Sequence, residues 1–453
     1  MAMQNADEYT VLPLDDAKYE ELAPRFVKSI KKLNQSTLFG RILSTSLDVC
    51  AKCAACVNEC PIYLASGKQH FYNPIVRTNL LRKLLRQQTT LTGKLARHFN
   101  KQFQGVDLKA LAENMYRCTL CRRCSEFCAF KVDNALMVRE GRVLLSSLGI
   151  APRELREDGA DKQLTVGAAT GMTKEAFLDI LHFMEEDVQE RKGKTIRFPV
   201  DRKGADMLVM HNAGDYLSFM GDVTGIAEVL DAVGANWTLN TGFNDVVNYG
   251  LFFSDDYLTK IMKRHLEAAE NLGVKTLVVG ECGHAYKTLK LFAKLMYPKG
   301  HVPFEIKSIL QVTDEYLRKG NLHLNPEKNP EPVTLHDSCN LARMGGLYEE
   351  PRRILKASCK DFREMSPNRE LNYCCGGGGG FALMSGRNFL DFRMKVAGKM
   401  KVDQIKATGA KKVVSACSNC KAQLRELLQY YGLDRQGVTY SGVHELVANA
   451  LVL

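Results

Sequence analysis

Two runs of four cysteines with identical spacing constrain this chain of 453 residues more than any other feature. The first run is Cys50-x2-Cys53-x2-Cys56-x3-Cys60, and the second is Cys118-x2-Cys121-x2-Cys124-x3-Cys128. With this spacing, three thiolates of a run hold one [4Fe–4S] cube and the fourth cysteine binds the other cube. The sequence therefore predicts two cubane clusters, one on Cys50, Cys53, Cys56 and Cys128, and the other on Cys118, Cys121, Cys124 and Cys60.

Other uses of these cysteines fit less well. A structural zinc site explains one CxxC pair, but not two four-cysteine runs of the same spacing. Disulfides are not expected, because the acidic, polar start of the chain lacks the basic and apolar regions of a secretory signal. The second run ends in Cys128-Ala129, whereas the first ends in Cys60-Pro61. Since proline fixes the turn that leaves a cluster, its loss predicts altered local geometry or potential with every ligand kept.

The region between the two runs is strongly basic. From residue 60 to residue 104 the chain has eight Lys or Arg residues and no Asp or Glu, within a net charge of +11. These residues are Lys68, Arg77, Arg82, Lys83, Arg86, Lys94, Arg97 and Lys101. Two interpretations remain open: a surface helix with a solvated basic side, or a docking face for an acidic protein or anionic lipid headgroups. No nucleic-acid-binding motif accompanies the charge, so nucleic acid is not an expected partner.

Length and hydropathy limit the organisation of the chain. Its length predicts two to four domains, and no apolar run approaches the ~20 residues of a membrane span. We therefore expect a cytoplasmic protein, peripheral on the inner face of the cell membrane. Residues 1–44 are expected to be an N-terminal extension. Residues 45–150 are expected to form a mainly helical cluster-binding domain, and residues 151–202 to form connecting helices.

The second half of the chain has a different pattern. From about residue 203, short apolar strands alternate with helices, which is typical of α/β layers with parallel strands. Three pairs of segments align with each other: 207–215 with 333–340, 248–256 with 372–380, and 274–285 with 411–420. The chain is therefore predicted to contain two copies of one α/β unit, at 203–325 and 331–453. The first copy keeps one cysteine, Cys282, which aligns with Cys417.

The second copy contains five aligned cysteines, at or just after predicted strand ends, where open α/β sheets gather ligand sites. They are Cys339, Cys374, Cys375, Cys417 and Cys420. Five glycines follow the adjacent pair, and Gly376, Gly377 and Gly378 are candidates for close approach of backbone to a bulky cluster. The glycine run lacks the lysine and Ser/Thr of a P-loop, and no GxGxxG follows a strand. We therefore predict a metal cluster here, and no flavin or nicotinamide on this chain.

Three segments carry a family resemblance. HDSCNLARMGGLYEEPRRIL, NYCCGGGGGF and SACSNC resemble the cysteine-rich CCG module. With both cluster motifs, over about residues 45–450, the chain resembles the catalytic D subunit of heterodisulfide reductases. Relatives of that protein include DsrK and the iron–sulfur subunits of the Hmc and Tmc electron-transfer complexes. The resemblance implies an α+α/β fold, in which a helical bis-[4Fe-4S] ferredoxin-like domain precedes two tandem CCG-type units.

The resemblance also implies site residues. In the family, five cysteines of a complete CCG module hold a noncubane [4Fe–4S] cluster that cleaves disulfides; here they would be Cys339, Cys374, Cys375, Cys417 and Cys420. The first copy departs from this pattern, since Gly214, Gly250, Leu251 and Ala285 cannot bind iron, so one noncubane cluster is expected. The segment GECGHA resembles the DsrK and Hmc type, and its Cys282 and His284 are candidates to face that cluster. The alternative is that Cys282 is a buried remnant and His284 an ordinary polar neighbour.

The implied function is that of an iron–sulfur oxidoreductase subunit in anaerobic respiration. A membrane cytochrome b-type or other redox subunit would exchange electrons with the two cubanes. The cubanes would pass them to the noncubane cluster, where a protein or small-molecule disulfide, trisulfide or thiol substrate reacts. Two alternatives remain open. One is a pure relay without its own substrate, and the other is the iron–sulfur subunit of a flavin-dependent glycolate, lactate or glycerol-3-phosphate dehydrogenase.

Overall fold

The computed structural model describes residues 15–35, 39–99, 102–384 and 387–452. Their contacts separate into two compact units, each discontinuous in sequence. Unit 1 contains the described residues of Met1–Arg156, Gly250–Asp255 and Gly376–Met400. Unit 2 contains those of Glu157–Tyr249, Asp256–Cys375 and Lys401–Leu453. The predicted boundaries of the five sequence segments stay a prediction, and much of the acidic start lies outside the described residues.

The N-terminal part of unit 1 is built of helices, and its described residues up to Arg156 include no strand. The helices are α1 (Asp16–Ser29), α2 (Gly40–Asp48), α3 (Ala55–Asn58), α4 (Pro61–Ala65), α5 (Pro74–Thr89), α6 (Leu91–Phe99), α7 (Gly105–Tyr116), α8 (Arg123–Glu126) and α9 (Asn134–Ser146). Helix α5 begins at Pro74, whose fixed φ suits a first turn, and the Asn73 side chain accepts from the Ile75 N–H at 2.9 Å. The expected helical character of this region is therefore present.

The packing of unit 1 changes the interpretation of its basic region. Helix α1 packs on α7 and α5 packs on α9, around fully buried side chains such as Phe26 and Met137. Arg77 and Arg82 are also buried, and they donate to backbone carbonyl oxygens of Tyr72 and Leu47 respectively. These two arginines therefore cannot contribute to a docking face, because their guanidinium groups are used inside the unit. Lys83 and Arg86 on the same helix are exposed.

Unit 2 contains two four-stranded parallel sheets. The strands are β1 (Met207–Met210), β2 (Trp237–Thr238), β3 (Thr276–Val279), β4 (Glu305–Ser308), β5 (Pro332–Leu335), β6 (Asp361–Arg363), β7 (Lys412–Val414) and β8 (Thr439–Ser441). The strand order is β2-β1-β3-β4 in the first sheet and β6-β5-β7-β8 in the second. The expected combination of helices and parallel α/β layers is confirmed. The two sheets have the same strand topology, which agrees with the predicted duplication without proving it.

The remaining helices complete the α/β layers and the second part of unit 1. They are α10 (Lys162–Val166), α11 (Lys174–Lys192), α12 (Asp215–Ser218), α13 (Met220–Ala232), α14 (Asp255–Leu272), α15 (Gly283–Phe292), α16 (Ile309–Arg318), α17 (Glu350–Ser358), α18 (Arg387–Asp391), α19 (Lys399–Thr408), α20 (Ser418–Tyr430) and α21 (Val443–Ala450). A core that includes Phe177, Val209 and Ile226 joins α11, β1 and α13. Among the described residues, none of the helices is both long enough and apolar enough to cross a membrane.

The third strand of each sheet leads into a cysteine that begins a helix. Cys282 follows β3 and is the N-cap of α15, and Cys417 follows β7 and is the N-cap of α20. Both residues have extended backbone, with φ −133° and ψ 101° at Cys282 and φ −150° and ψ 115° at Cys417. The two cysteines that align in sequence thus occupy the same position in the two copies of the fold.

Candidate iron–sulfur sites

The thiols of the two four-cysteine runs lie in crossed sets within unit 1. Burial raises the pKa of Cys56, and the thiols of Cys128 and Cys50 add to this effect. Burial raises the pKa of Cys60 to about 12, and here the contributing thiols are Cys121 and Cys118. Burial also raises the pKa of Cys124, whose neighbouring thiols are Cys121, Cys60 and Cys118. Each last cysteine of a run is therefore close to members of the other run, while Cys53 is exposed.

Both runs use the same uncommon backbone around their second cysteine. Lys52 and Ala54 flank Cys53 with φ of 57° and 67°, and Leu120 and Arg122 flank Cys121 with φ of 52° and 60°. Left-handed backbone is unfavourable for residues with a Cβ, and such strained residues concentrate at functional sites. The equal spacing of these residues gives both runs the same loop shape. That both loops hold cubane clusters stays a prediction.

Within unit 1, Arg142 forms hydrogen bonds to both the second cysteine run and the glycine-rich segment. Its guanidinium is fully buried and donates to the carbonyl oxygens of Met115 at 3.0 Å, Cys118 at 2.7 Å and Gly379 at 2.8 Å. A Cβ on Gly379 would lie 2.7 Å from the Cys118 oxygen, and one on Gly378 would lie 2.6 Å from the Thr119 oxygen. These glycines are thus needed for close approach to the backbone of the second run. The sequence pattern predicts only contact with a cluster for this glycine run, so its packing against the second run is a finding of the structure.

The five aligned cysteines of the second α/β copy are all buried in unit 2, and none of them forms a disulfide. The pKa of Cys375 lies well below its ordinary value because the thiols of Cys374 and Cys420 donate to it. A hydrogen bond from Cys420 lowers the pKa of Cys417 to about 7, with further donation from the backbone N–H of Gly283. Cys375, Cys417 and Cys420 therefore form one connected group of sulfur atoms, with Cys420 as the shared donor.

His336 also belongs to this site, and sequence reasoning missed it. One of its ring nitrogens and the sulfur atoms of Cys375 and Cys420 lie within 4.8 Å of one another. Its Nε2 is buried and has no hydrogen-bond partner in the described part of the chain, while Nδ1 lies 3.5 Å from the Asn372 amide nitrogen. Thiolate and imidazole groups that are buried together suit a soft metal centre, so the residues present fit an iron–sulfur cluster. The alignment of His211 with His336 in the two copies was the available sequence signal.

Cys282 and His284 lie beside the same group of cysteines. Burial raises the pKa of Cys282, and its neighbour Cys417 contributes. Burial lowers the pKa of His284 to about 3, while nearby Cys375 acts in the opposite direction. The His284 Nδ1 lies 2.7 Å from the amide nitrogen of Asn419, between Cys417 and Cys420 in the chain. The first α/β copy thus contributes two side chains close to the cysteines of the second, although a catalytic role for them stays a prediction.

Lys401 is a second residue that sequence reasoning missed. It lies in α19 and its side chain is fully buried, although lysine is rarely so. Its Nζ donates to the Asn372 Oδ1 at 2.6 Å. Nothing in the sequence pattern separates Lys401 from the exposed lysines near it. Cys359, in contrast, is buried beside Ser358 as the small apolar residue that its position outside the motifs suggests.

Family profiles match both cysteine-rich parts of the chain. A profile described as a 4Fe-4S dicluster domain matches residues 46–132. A profile described as a cysteine-rich domain, CCG, matches residues 333–425. The two matches enclose both four-cysteine runs and the five aligned cysteines of the second α/β copy.

Curated relatives resemble the chain over most of its length. It is 27% identical to the Hdr-like menaquinol oxidoreductase iron-sulfur subunit 2 of Archaeoglobus fulgidus, over 91% of this chain and 81% of the relative. It is 24% identical to the D subunit of the dihydromethanophenazine:CoB–CoM heterodisulfide reductase of Methanosarcina barkeri, over 90% of this chain and 94% of the relative. It is 23% identical to the EtfAB:quinone oxidoreductase of Syntrophomonas wolfei, over 84% of this chain and 55% of the relative. The resemblance predicted from the motifs is thereby confirmed: this chain combines a 4Fe-4S dicluster domain with a CCG domain, in the manner of heterodisulfide-reductase-like iron–sulfur electron-transfer subunits.

Proposed function

We propose that this chain relays electrons through two cubane clusters to a noncubane cluster, at which a disulfide- or trisulfide-type substrate is reduced or its thiols are oxidised. The observation that carries the proposal is the group of buried cysteines in unit 2, to which His336 adds a buried ring nitrogen close to the sulfur atoms of Cys375 and Cys420. Reduction of a disulfide takes two electrons and two protons and yields two thiols; the oxidation is the reverse. When bound, the clusters supply one-electron carriers and an iron centre accessible to sulfur.

The side chains of the chain have separate tasks in this proposal. Cys339, Cys374, Cys375, Cys417 and Cys420 hold the noncubane cluster. The imidazole of His336 orients a cluster sulfur or ligand through its Nε2. Cys282 and His284 line the same site from the first α/β copy. The eight cysteines of the two runs hold the cubanes and contact no substrate.

The partner proposed for the chain is a membrane redox subunit of the cytochrome b type, with the protein peripheral on the cytoplasmic face. The relative in Archaeoglobus fulgidus is named a menaquinol oxidoreductase subunit, which favours quinol-linked electron supply. A second candidate function is a pure electron relay without its own substrate. The relative named EtfAB:quinone oxidoreductase favours that candidate.

Cluster content gives the first test. If each cluster holds four irons, reconstituted protein should contain about twelve iron atoms per chain. Anaerobic iron and acid-labile sulfide analysis measures this number. Saturation near eight would contradict a third cluster.

Cysteine variants test where the chemistry occurs. We expect Cys375→Ser or Cys420→Ser to abolish disulfide reduction with an artificial electron donor while both cubane EPR signals remain. Cys128→Ser should instead damage a cubane and reduce electron supply. Cys359→Ser is the matched control, because it also alters a buried cysteine but one outside the site. Normal turnover in the Cys375 and Cys420 variants would refute the assigned site, and an unmutated protein that reduces no disulfide would favour the relay.

A further inference from the structure

Lys401 occupies an unusual position for a charged residue. The side chain is fully buried, and its Nζ donates to Asn372 Oδ1 at 2.6 Å, Gln404 Oε1 at 2.5 Å and Met365 Sδ at 3.4 Å. All three hydrogen-bond partners are neutral. A buried charge without an ionic partner is costly, so a compensating negative charge is expected nearby.

Two other buried cations of unit 2 have carboxylate partners. Lys421 is paired with Asp222 and Glu281, and Arg352 with Asp337 and Glu364. Asp337 is the carboxylate whose charge acts on Lys401, but its two oxygens already accept from Arg352 at 2.8 and 2.9 Å. Burial lowers the pKa of Lys401 to about 8, while Asp337 and the nearby cysteines Cys375, Cys339 and Cys374 act in the opposite direction.

Asn372 connects Lys401 to the cysteine-rich site. Its Oδ1 accepts from Lys401, and its Nδ2 donates to the carbonyl oxygen of Asp337 at 2.5 Å and lies 3.5 Å from His336 Nδ1. Asn372 is itself buried and precedes the adjacent pair Cys374 and Cys375 in the chain. The Lys401 ammonium is therefore held by an amide that also contacts His336 and stands two residues before Cys374.

We propose that Lys401 is the fixed counterion of the cysteine-rich site: its ammonium favours the more negative, reduced state of a cluster held there and so raises the reduction potential of that cluster. The inference rests on the proposed function, because it takes this site to hold a redox-active cluster. Net charge around an iron–sulfur cluster is one of the factors that set its potential, and a unit charge acts strongly across a dry interior. Lys401 is a positioning residue here, since it contacts neither iron nor substrate.

The test is an EPR-monitored redox titration of reconstituted protein, in which dithionite-reduced mediator dyes supply the electron. We expect Lys401→Met to lower the reduced-to-oxidised ratio of the CCG cluster at least tenfold at a given potential, a shift of about 59 mV for one electron. The cubane potentials should not move. Lys401→Arg keeps the charge and should stay close to the unmutated protein. Lys406→Met is the matched control, because it removes an exposed charge from the same helix.

Each of the other possible outcomes also supports or contradicts the role proposed for Lys401. An unchanged CCG potential in Lys401→Met, with full iron content, would overturn the inference. If the methionine variant loses the cluster, Lys401→Gln provides the neutral comparison, and loss of the cluster in the arginine variant as well would reduce Lys401 to a packing residue. Failure of the proposed function has different signatures: about eight irons in the unmutated protein, or a CCG cluster with a Lys401-dependent potential but no disulfide turnover.

Discussion

Gly379→Ala tests the close approach of the glycine-rich segment to the second cysteine run. Gly379 has φ of 69°, and a Cβ there would lie 2.7 Å from the Cys118 carbonyl oxygen. Gly67 is the matched control in the same unit, because its φ is 73° and a Cβ there would meet nothing within 4 Å. Both substitutions place alanine in left-handed backbone, which costs ~1–2 kcal/mol. The control isolates that conformational cost.

The additional cost at Gly379 follows from what its Cβ would displace. The Cys118 oxygen accepts from the buried Arg142 at 2.7 Å. A hydrogen bond to a charged group contributes about 1.5–3 kcal/mol to stability. If the oxygen moves away, this bond is lost, so Gly379→Ala should destabilise unit 1 by about 3 kcal/mol, against about 1 kcal/mol for Gly67→Ala.

Hydrogen exchange of peptides from α7 and α9, measured over a urea series, reports unit 1 separately from unit 2. The unmutated protein and Gly67→Ala provide the reference values. Equal destabilisation by the two substitutions would refute the argument. It would mean that the Cys118 carbonyl group can move without losing its hydrogen bond from Arg142.

Three further predictions concern other parts of the molecule. Lys421→Met leaves Asp222 and Glu281 buried without their cation, so it should lower the free energy of unfolding in urea by about 3–5 kcal/mol. The exposed Lys260→Met should lower it by less than about 1 kcal/mol, and equal losses in the two variants would contradict this prediction. Burial lowers the pKa of His265 to about 4, below its unfolded value of about 6.5, so its contribution to stability is present above pH ~6.5 and is lost as the pH falls towards 4. The free energy of unfolding gained relative to His265→Gln should therefore shrink over that interval, and a pH-independent difference would refute the assignment. Reversal of the exposed charges in Lys83→Glu/Arg86→Glu should abolish low-salt binding to anionic phosphatidylglycerol vesicles, which Lys260→Glu should leave intact; unchanged binding would exclude this surface.

The local patterns in the sequence were sufficient for much of the architecture. The spacing of the two runs predicted that Cys60 would lie near Cys118 and Cys121, and its thiol does lie near theirs. Hydrophobic alternation predicted the parallel layers, because buried strands and helices have different periods. The internal alignment placed Cys282 opposite Cys417, and both are helix N-caps after a third strand.

The residues that sequence reasoning missed act through contacts distant in the chain. Arg142 reaches Gly379, 237 residues away, and Lys401 reaches Asn372, 29 residues away. Neither residue stands in a motif, and burial of a charged side chain depends on the completed fold. The same limit explains Arg77 and Arg82: charge counting assigned them to a surface, whereas packing turned them inward to carbonyl oxygens. Such buried residues can be told apart from exposed residues of the same type only in the three-dimensional structure.

The discontinuity of unit 1 has a consequence for biosynthesis. Arg142 emerges from the ribosome long before its acceptor Gly379, and the last segment of unit 1 ends at Met400, 244 residues after the first segment ends at Arg156. At ~5–20 residues per second, this interval lasts about 12–50 s. The nascent N-terminal helices must therefore wait for a late part of the chain before the environment of the second cysteine run is complete. Iron delivered to that run during translation would meet an unfinished site, because the residues around the run are complete only at a late stage of synthesis.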